Sequence, residues 1–359
     1  MSKSLGTGVD PLDLMEHYGA DGMRFGLMLQ VTGSQDIKFS EDKLLSSRNF
    51  ANKIWNASRF VLMNLEGYEP GEPKADTVAD AWILSRLADL AARVDEGLLT
   101  YEFGETARAL YDFFWNEFCD WYIELAKGRL AEGGEARLAV QRNLVFVLDR
   151  ALRLLHPMMP FVTEEIWRRL PLMPEDKAES LMIAAWPDPA GLAHWRDEAG
   201  KHGEEAIAAV QSVVTAVRTV RSRYSVAPRA TVDVIAKASG RAARLIEAES
   251  DIIRNLAGIG TLTVAAEAAK PAHAAVAVAL GAELFVPLEG LVDFAHERVR
   301  VEKELAAVVT ELQRLSAKLG NAGFLAKAAP DIVEKDRARA SALSDAAEKL
   351  EGQLSELSD

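Results

Sequence analysis

Apolar residues recur at three- and four-residue steps through most of the chain. From Ser40 onward, Leu44, Ala51, Ile54, Trp55, Ser58, Val61, Leu62 and Leu65 form one such stripe, the pattern of a helix that buries a single face. The same spacing predicts helices over roughly Val78–Leu99, Phe103–Lys127 and Ala136–Leu155, with a loop at Glu69–Lys74 and Gly133-Gly134 as a further break. His156-Pro157 and Met159-Pro160 interrupt the pattern before a short helix at Phe161–Leu170. Long helices joined by short connections predict an antiparallel bundle. Its stripe puts Trp55 in the core, together with Phe113, Phe114, Trp115, Trp121 and Tyr122, whereas Phe60 lies off the stripe.

The flanking segments read differently. Residues 1–40 begin as a glycine-rich loop, then Asp10-Pro11 offers an N-cap and first helical residue. Asp21 is expected to cap a second short helix, and Ile37–Phe39 to form a brief strand. Past a proline-rich passage at 171–189, a helix over Gly203–Arg223 precedes an apolar run at Thr231–Ile235. A helical piece near 242–255 and three more strand-like runs, at 261–264, 274–280 and 283–288, complete a small α/β module. The last segment shifts to a mean step of 3.5: Val301, Leu305, Val308, Leu312, Leu315 and Leu319, then Leu343, Ala347, Leu350, Leu354 and Leu357. Two heptad runs around Gly320, Asn321 and Gly323 describe an antiparallel coiled-coil hairpin. Arms of about 25 residues at ~1.5 Å each reach roughly 35–40 Å. The fold class is therefore mainly α: a helical bundle, a small α/β junction module and a C-terminal coiled-coil hairpin. Domain bounds are expected at 1–40, 41–195, 196–292 and 293–359.

Composition narrows the functional classes. A chain of 359 residues with 49% hydrophobic and 26% charged content is ordinary globular protein of several domains. No run is apolar enough to span a bilayer, and no charged-then-apolar leader opens the chain. A single cysteine, Cys119, cannot build a disulfide framework or a cysteine-rich zinc site. The histidines lack metal-ligand spacing, so no protein-bound metal is expected, and the setting reads as reducing and cytoplasmic. The net charge of −13 does not exclude nucleic acid, because phosphate contact needs a basic face and not a basic average.

Three places carry candidate chemistry. The first is Met1-Ser2-Lys3-Ser4-Leu5-Gly6-Thr7-Gly8, where a lysine between two hydroxyls precedes two glycines. Such a loop can close over a triphosphate, with lysine neutralising charge on a departing pyrophosphate. The second is the polar side of the 40–65 helix, where Arg48, Lys53 and Arg59 accompany Asn52 and Asn56, with Phe60 as the stacking candidate. Bases in an unpaired loop are read by stacking and amide hydrogen bonds, which suits this mixture. The third comprises basic residues further on. Arg218 and Arg221 lie in a stretch without an acid between Ala206 and Val232, and Arg298, Arg314, Lys318 and Lys327 lie among many acids on the hairpin. A solvated helix face accounts for these as readily as phosphate contact does.

The order of the N-terminal residues is distinctive. Met1-Ser2-Lys3-Ser4-Leu5-Gly6, Asp10-Pro11, Tyr18-Gly19-Ala20-Asp21 and Arg24 together resemble the KMSKS region of class I aminoacyl-tRNA synthetases, with Thr7 where asparagine is common. The segments Glu117–Lys127, His156–Trp167 and Asn321–Ala328 with Val333-Glu334-Lys335 resemble the valyl enzymes of that class, in the same order. The resemblance implies that Ser2, Lys3 and Ser4 bind ATP, and that Lys3 is catalytic in adenylation, with Mg2+ accompanying the ATP. It implies tRNA-Val as partner of the bundle and of the hairpin, and a monomer. The histidine signature, the amino-acid pocket and the editing domain would lie upstream of Met1, so this chain alone is expected to be inactive. A stand-alone tRNA-binding module without catalysis, or a coiled-coil adaptor that binds protein, is the alternative.

Overall fold

The computed structural model describes residues 9–31, 39–325 and 330–356. The chain divides into two compact units, Met1–Ala208 and Ala209–Asp359.

In the first unit, helix α1 (Pro11–Tyr18) starts as expected: Asp10 Oδ1 accepts the Leu12 amide at 2.9 Å and Pro11 takes the first helical position. Helix α2 (Ala20–Leu29) follows directly, with Gly19 at φ +76° between the two. Asp21 does not cap α2, because it lies inside the helix and Gly19 holds the cap position. The strand expected at Ile37–Phe39 lies largely outside the described residues. Helix α3 (Glu41–Met63) then buries Leu44, Phe50, Ile54, Ala57 and Val61.

Helix α4 (Val78–Leu99) has the bounds its periodicity predicts, and Thr77 caps it by accepting the Asp80 amide at 3.2 Å. The predicted single helix at 103–127 is three pieces. Helix α5 (Phe103–Asp112) widens into a π-helical stretch over Phe113–Tyr122, and helix α6 (Ile123–Glu132) resumes the ordinary pitch. The Ile123 amide reaches back five residues to the Phe118 carbonyl. The wider turn brings Phe113, Phe118 and Tyr122, at steps of five and four, to one buried face. Trp115 and Trp121 are only partly covered, which trims the expected core.

Helix α7 (Gly134–Leu155) crosses the centre of the unit, and α8 (Pro160–Trp167) follows the His156–Met159 break. A short α9 (Pro189–Leu192) leads into α10 (Glu198–Arg223). That helix starts before the predicted Gly203. A Cβ at Gly203 would lie 2.7 Å from both the Trp82 nitrogen and the Val78 carbonyl oxygen, so the glycine permits close packing on α4.

Two buried polar networks brace this unit. Fully buried Asp80 accepts Tyr122 Oη at 2.8 Å, Thr77 Oγ1 at 2.8 Å and the Arg129 guanidinium. Asp149 accepts Arg153 Nε at 2.9 Å, Arg150 Nη1 at 2.9 Å and Trp167 Nε1 at 2.6 Å, tying α7 to α8. A buried carboxylate survives only when its lone pairs are matched in this way. Cys119, buried among these helices, has its thiol pushed up to about 12 by desolvation, so it packs as an inert residue.

The second unit holds a four-stranded sheet in the order β2-β1-β4-β3, from β1 (Val232–Lys237), β2 (Ile259–Ala265), β3 (Ala274–Ala279) and β4 (Ala282–Pro287). Strands β1 and β2 run parallel, joined through α11 (Gly240–Ala248) and α12 (Ser250–Ala257), and the other pairings are antiparallel. Leu280 and Gly281, at φ +54° and +74°, make the two-residue turn between β3 and β4. The hairpin is α13 (Phe294–Leu319), a short α14 (Ala322–Leu325) and α15 (Pro330–Glu356). Its seam is lightly covered. Val301, Leu315 and Ala347 are buried, while Leu305, Leu312, Leu343 and Leu350 stay half-exposed. At its base, Glu297 and Gln353 meet at 3.2 Å, and Arg300 and Gln353 both donate to the Arg223 carbonyl.

Candidate nucleic-acid interface

The polar side of α3 is where sequence reasoning gathers the most candidates, and helical geometry separates them into faces. At 100° per residue, Lys53, Asn56 and Phe60 share one side, while Trp55, Arg59 and Leu62 share another. Asn52, Asn56 and Arg59 are exposed. Arg48, also exposed, donates to the His17 carbonyl at 3.3 Å, so part of its reach is directed at α1. Lys53 pairs with Asp120 at 2.6 Å and lies 5.1 Å from the centre of the Trp115 ring. Phe60 is half-buried against the core with Lys127 over its ring at 5.9 Å. The two candidates flanking Asn56 therefore have neighbours in the π-helical stretch and α6.

Trp55 reverses its expected position. Its indole is 40% exposed, because α8 covers only part of the apolar stripe. The Arg169 guanidinium lies 5.6 Å from the ring centre. Phe60, picked for stacking because it lies off the stripe, is thus the more covered of the two aromatics. An apolar period reports which side of a helix is greasy and not how far a neighbour extends across it.

Asp21 makes a long-range contact that local reading misassigns. Its carboxylate accepts the amides of Phe161 at 3.2 Å and Val162 at 2.6 Å, and so caps α8, about 140 residues away. Burial pushes this carboxyl up, and the two amides pull it partly back. Arg24 donates to the carbonyls of Pro157 at 2.9 Å and Met158 at 3.3 Å in the same turn. Together they fasten α2 to the turn that starts α8. His156 in that turn bonds Thr163 at 2.8 Å, and burial lowers its imidazole below the ordinary histidine range.

The remaining basic candidates are mostly engaged. Arg218 donates through two nitrogens to the Leu256 carbonyl, at 3.1 and 2.8 Å, at the C-terminal end of α12. Arg221 donates to the carbonyls of Gly258, Ala227 and Pro228. Cations suit the negative end of a helix, so these contacts have a structural reason of their own. On the hairpin, Arg298 pairs with Glu302 at 2.9 Å, Lys318 lies 4.7 Å from the Phe324 ring centre, and Arg314 is exposed. Ser2, Lys3, Ser4 and Lys327 lie outside the described residues. Among the described residues no group of three or more His, Cys, Asp or Glu is placed to hold a metal ion, and no helix is long and apolar enough to cross a membrane.

Against this geometry, three family models match. The anticodon-binding domain of tRNA ligases matches residues 80–236, the tRNA-binding arm of valyl-tRNA synthetases matches 293–358, and class I tRNA synthetases match 1–60. The chain is 42% identical to a valine–tRNA ligase of Symbiobacterium thermophilum, over 99% of this chain and 41% of that protein. It is 41% identical to that of Enterococcus faecalis, over 94% and 38%. With the ligase of Carboxydothermus hydrogenoformans it shares 42% identity, over 100% and 40%. The chain thus spans about two fifths of the length of the curated relatives it matches.

Proposed function

The chain belongs to the valyl-tRNA synthetase family, as its C-terminal region, and from that premise we propose that its work is to hold tRNA-Val. The helical unit grips the anticodon loop and the hairpin lies against the outer surface of the same tRNA. The supporting observation is where the matched regions fall. The anticodon-binding match begins on the bundle at α4, the arm match coincides with α13–α15, and α3 offers exposed Asn52, Asn56 and Arg59 beside Phe60. Amide side chains read base edges, and exposed arginines meet phosphates.

In the whole ligase, valine attacks the α-phosphate of ATP, forming valyl-adenylate and releasing pyrophosphate, and the tRNA 3′ end then accepts the valyl group. Lys3, flanked by Ser2 and Ser4, neutralises charge that grows on the departing pyrophosphate, and Mg2+ travels with the ATP. We assign the amino-acid pocket for this chemistry to the rest of the ligase, of which this chain spans about two fifths. We read the chain as a cytoplasmic monomer that orients tRNA and does not activate valine by itself.

Filter binding of this chain to tRNA-Val at low salt, against an unrelated tRNA, tests the reading. Preference for tRNA-Val, with affinity falling steeply as salt rises from 50 to 200 mM, is expected. Equal retention of both tRNAs overturns anticodon recognition, and salt-insensitive binding overturns phosphate contact.

A further inference from the structure

We propose that the cavity around Trp55 is a stacking subsite for one unpaired nucleobase of the tRNA loop. The proposal rests on the tRNA reading above and adds a face of α3 that none of the candidates Lys53, Asn56 and Phe60 occupies. Trp55, Arg59, Leu62 and Met63 of α3 close the cavity with Ile166 of α8 and Arg169 just beyond it. Its volume, about 250 Å³, falls below the ~300–1,000 Å³ of pockets that take drug-sized ligands. It has room for one flat ring system and not for a whole nucleotide chain.

Three features favour a base over an aliphatic side chain. An indole left 40% exposed on a helix whose other aromatic faces are packed is an open π surface. The Arg169 guanidinium lies 5.6 Å from the ring centre and makes a surface pair with Glu165, so a cation already stands beside the ring before any ligand arrives. Arg59 and Arg169 line the cavity, so a base entering it brings its own phosphate towards two guanidiniums. Leu62 and Ile166 supply the apolar floor. An apolar partner would use the floor alone, whereas a nucleotide uses ring, floor and charge together.

The test uses this chain with Trp55→Phe, Trp55→Leu and Trp55→Ala, titrated with tRNA-Val and with versions carrying one abasic site at each anticodon-loop position. Base–aromatic stacking of ~1–3 kcal/mol corresponds to roughly a 5- to 150-fold loss on truncation. Trp55→Ala and Trp55→Leu are therefore expected to weaken binding by about tenfold or more, and Trp55→Phe by less. One abasic position should cost as much as Trp55→Ala in the parent chain and nothing further in that variant. Unchanged melting curves establish that the variants fold, as half-exposed Trp55 allows. A Trp55→Leu variant that binds like the parent marks an apolar packing surface and overturns the stacking proposal. So does a Trp55→Ala variant that binds normally while the parent prefers tRNA-Val, and that result leaves the tRNA reading intact. If the parent itself binds no tRNA, both fall.

Discussion

The bundle and the hairpin are both helical, yet they are held by different physics. In the bundle, Phe50, Ile54, Leu84, Phe118, Leu144 and Leu148 are fully buried, and the buried carboxylates Asp80 and Asp149 among them are paired. The hairpin has two long helices and therefore one main seam, so most of its apolar residues are covered from one direction only. Leu305 and Leu312 remain half-exposed, and charge pairs such as Arg298–Glu302 and Arg300–Glu304 populate the outside. Burial sets the stability of a segment, while mixed surface charge sets its solubility and its response to salt. The contrast fits the proposed division of labour, in which a scaffold fixes side chains for base recognition and an arm needs only shape and a charged surface.

The largest effect expected from this contrast comes from matched truncations. Phe118→Ala removes a fully buried ring from the π-helical stretch and should cost about 3–5 kcal/mol, whereas Leu312→Ala on the hairpin should cost about 1 kcal/mol. The chain has 7 tryptophans, and all lie at or before Trp195. Urea unfolding followed by tryptophan fluorescence therefore reports the first unit and far-ultraviolet dichroism reports both. Equal shifts for the two variants would break the comparison. Next in size is Arg129→Met. It leaves the Asp80 carboxylate buried without its cation, and loss of one partner from such a pair costs about 3 kcal/mol or more. The same measurement checks it, with Tyr122→Phe expected to cost less because the carboxylate keeps its charge partner.

What the sequence makes legible follows from range. The bounds of α4 are readable because its stripe, its Thr77 cap and its length are all local. The strands fall within a residue or two of their apolar runs for the same reason. Asp21 is misread because a capping carboxylate looks identical whether the helix it caps is its own or one 140 residues away. The π-helical stretch is invisible, since Phe113, Phe118 and Tyr122 approximate the ordinary helical step until wider turns are allowed. The acid-free run around Arg218 and Arg221 reads as an open cationic face, yet both guanidiniums fold onto main-chain carbonyls that no side-chain pattern announces. Of the candidate interface, the exposed amides of α3 are legible and the exposure of Trp55 is not.

Asp21 sharpens the comparison at an intermediate scale, because it stabilises a helix end and no core. Asp21→Ala removes the acceptor for two α8 amides and relieves the desolvation of a buried carboxylate. These oppose each other, and a loss of about 1 kcal/mol is expected from capping energetics. The pH dependence carries the sign. The folded carboxyl is raised above its ordinary value of 3.8, so the native state holds the proton more tightly than the unfolded chain. Its contribution is complete below that value and is lost as pH rises through the folded value. Urea midpoints of parent and variant between pH 3.5 and 6 should therefore converge towards the upper end relative to the lower, and a parallel pair of curves would contradict the burial of this group.

The smallest stability effect belongs to the hairpin surface, and there the comparison turns towards function. Arg298 and Glu302 pair at 2.9 Å with both side chains about half exposed. Solvent screening leaves such a pair worth no more than about 0.5 kcal/mol, so Arg298→Ala should hardly move the unfolding curve. If the arm meets the phosphate backbone through Arg298, the same substitution should weaken tRNA binding uniformly and reduce the slope of log affinity against log salt by about one. A bundle variant such as Trp55→Ala should instead lower affinity at every salt concentration without changing that slope, because stacking releases no counterions. A salt slope untouched by Arg298→Ala would remove Arg298 from the interface, since its loss costs the fold almost nothing and leaves no other cause for the result.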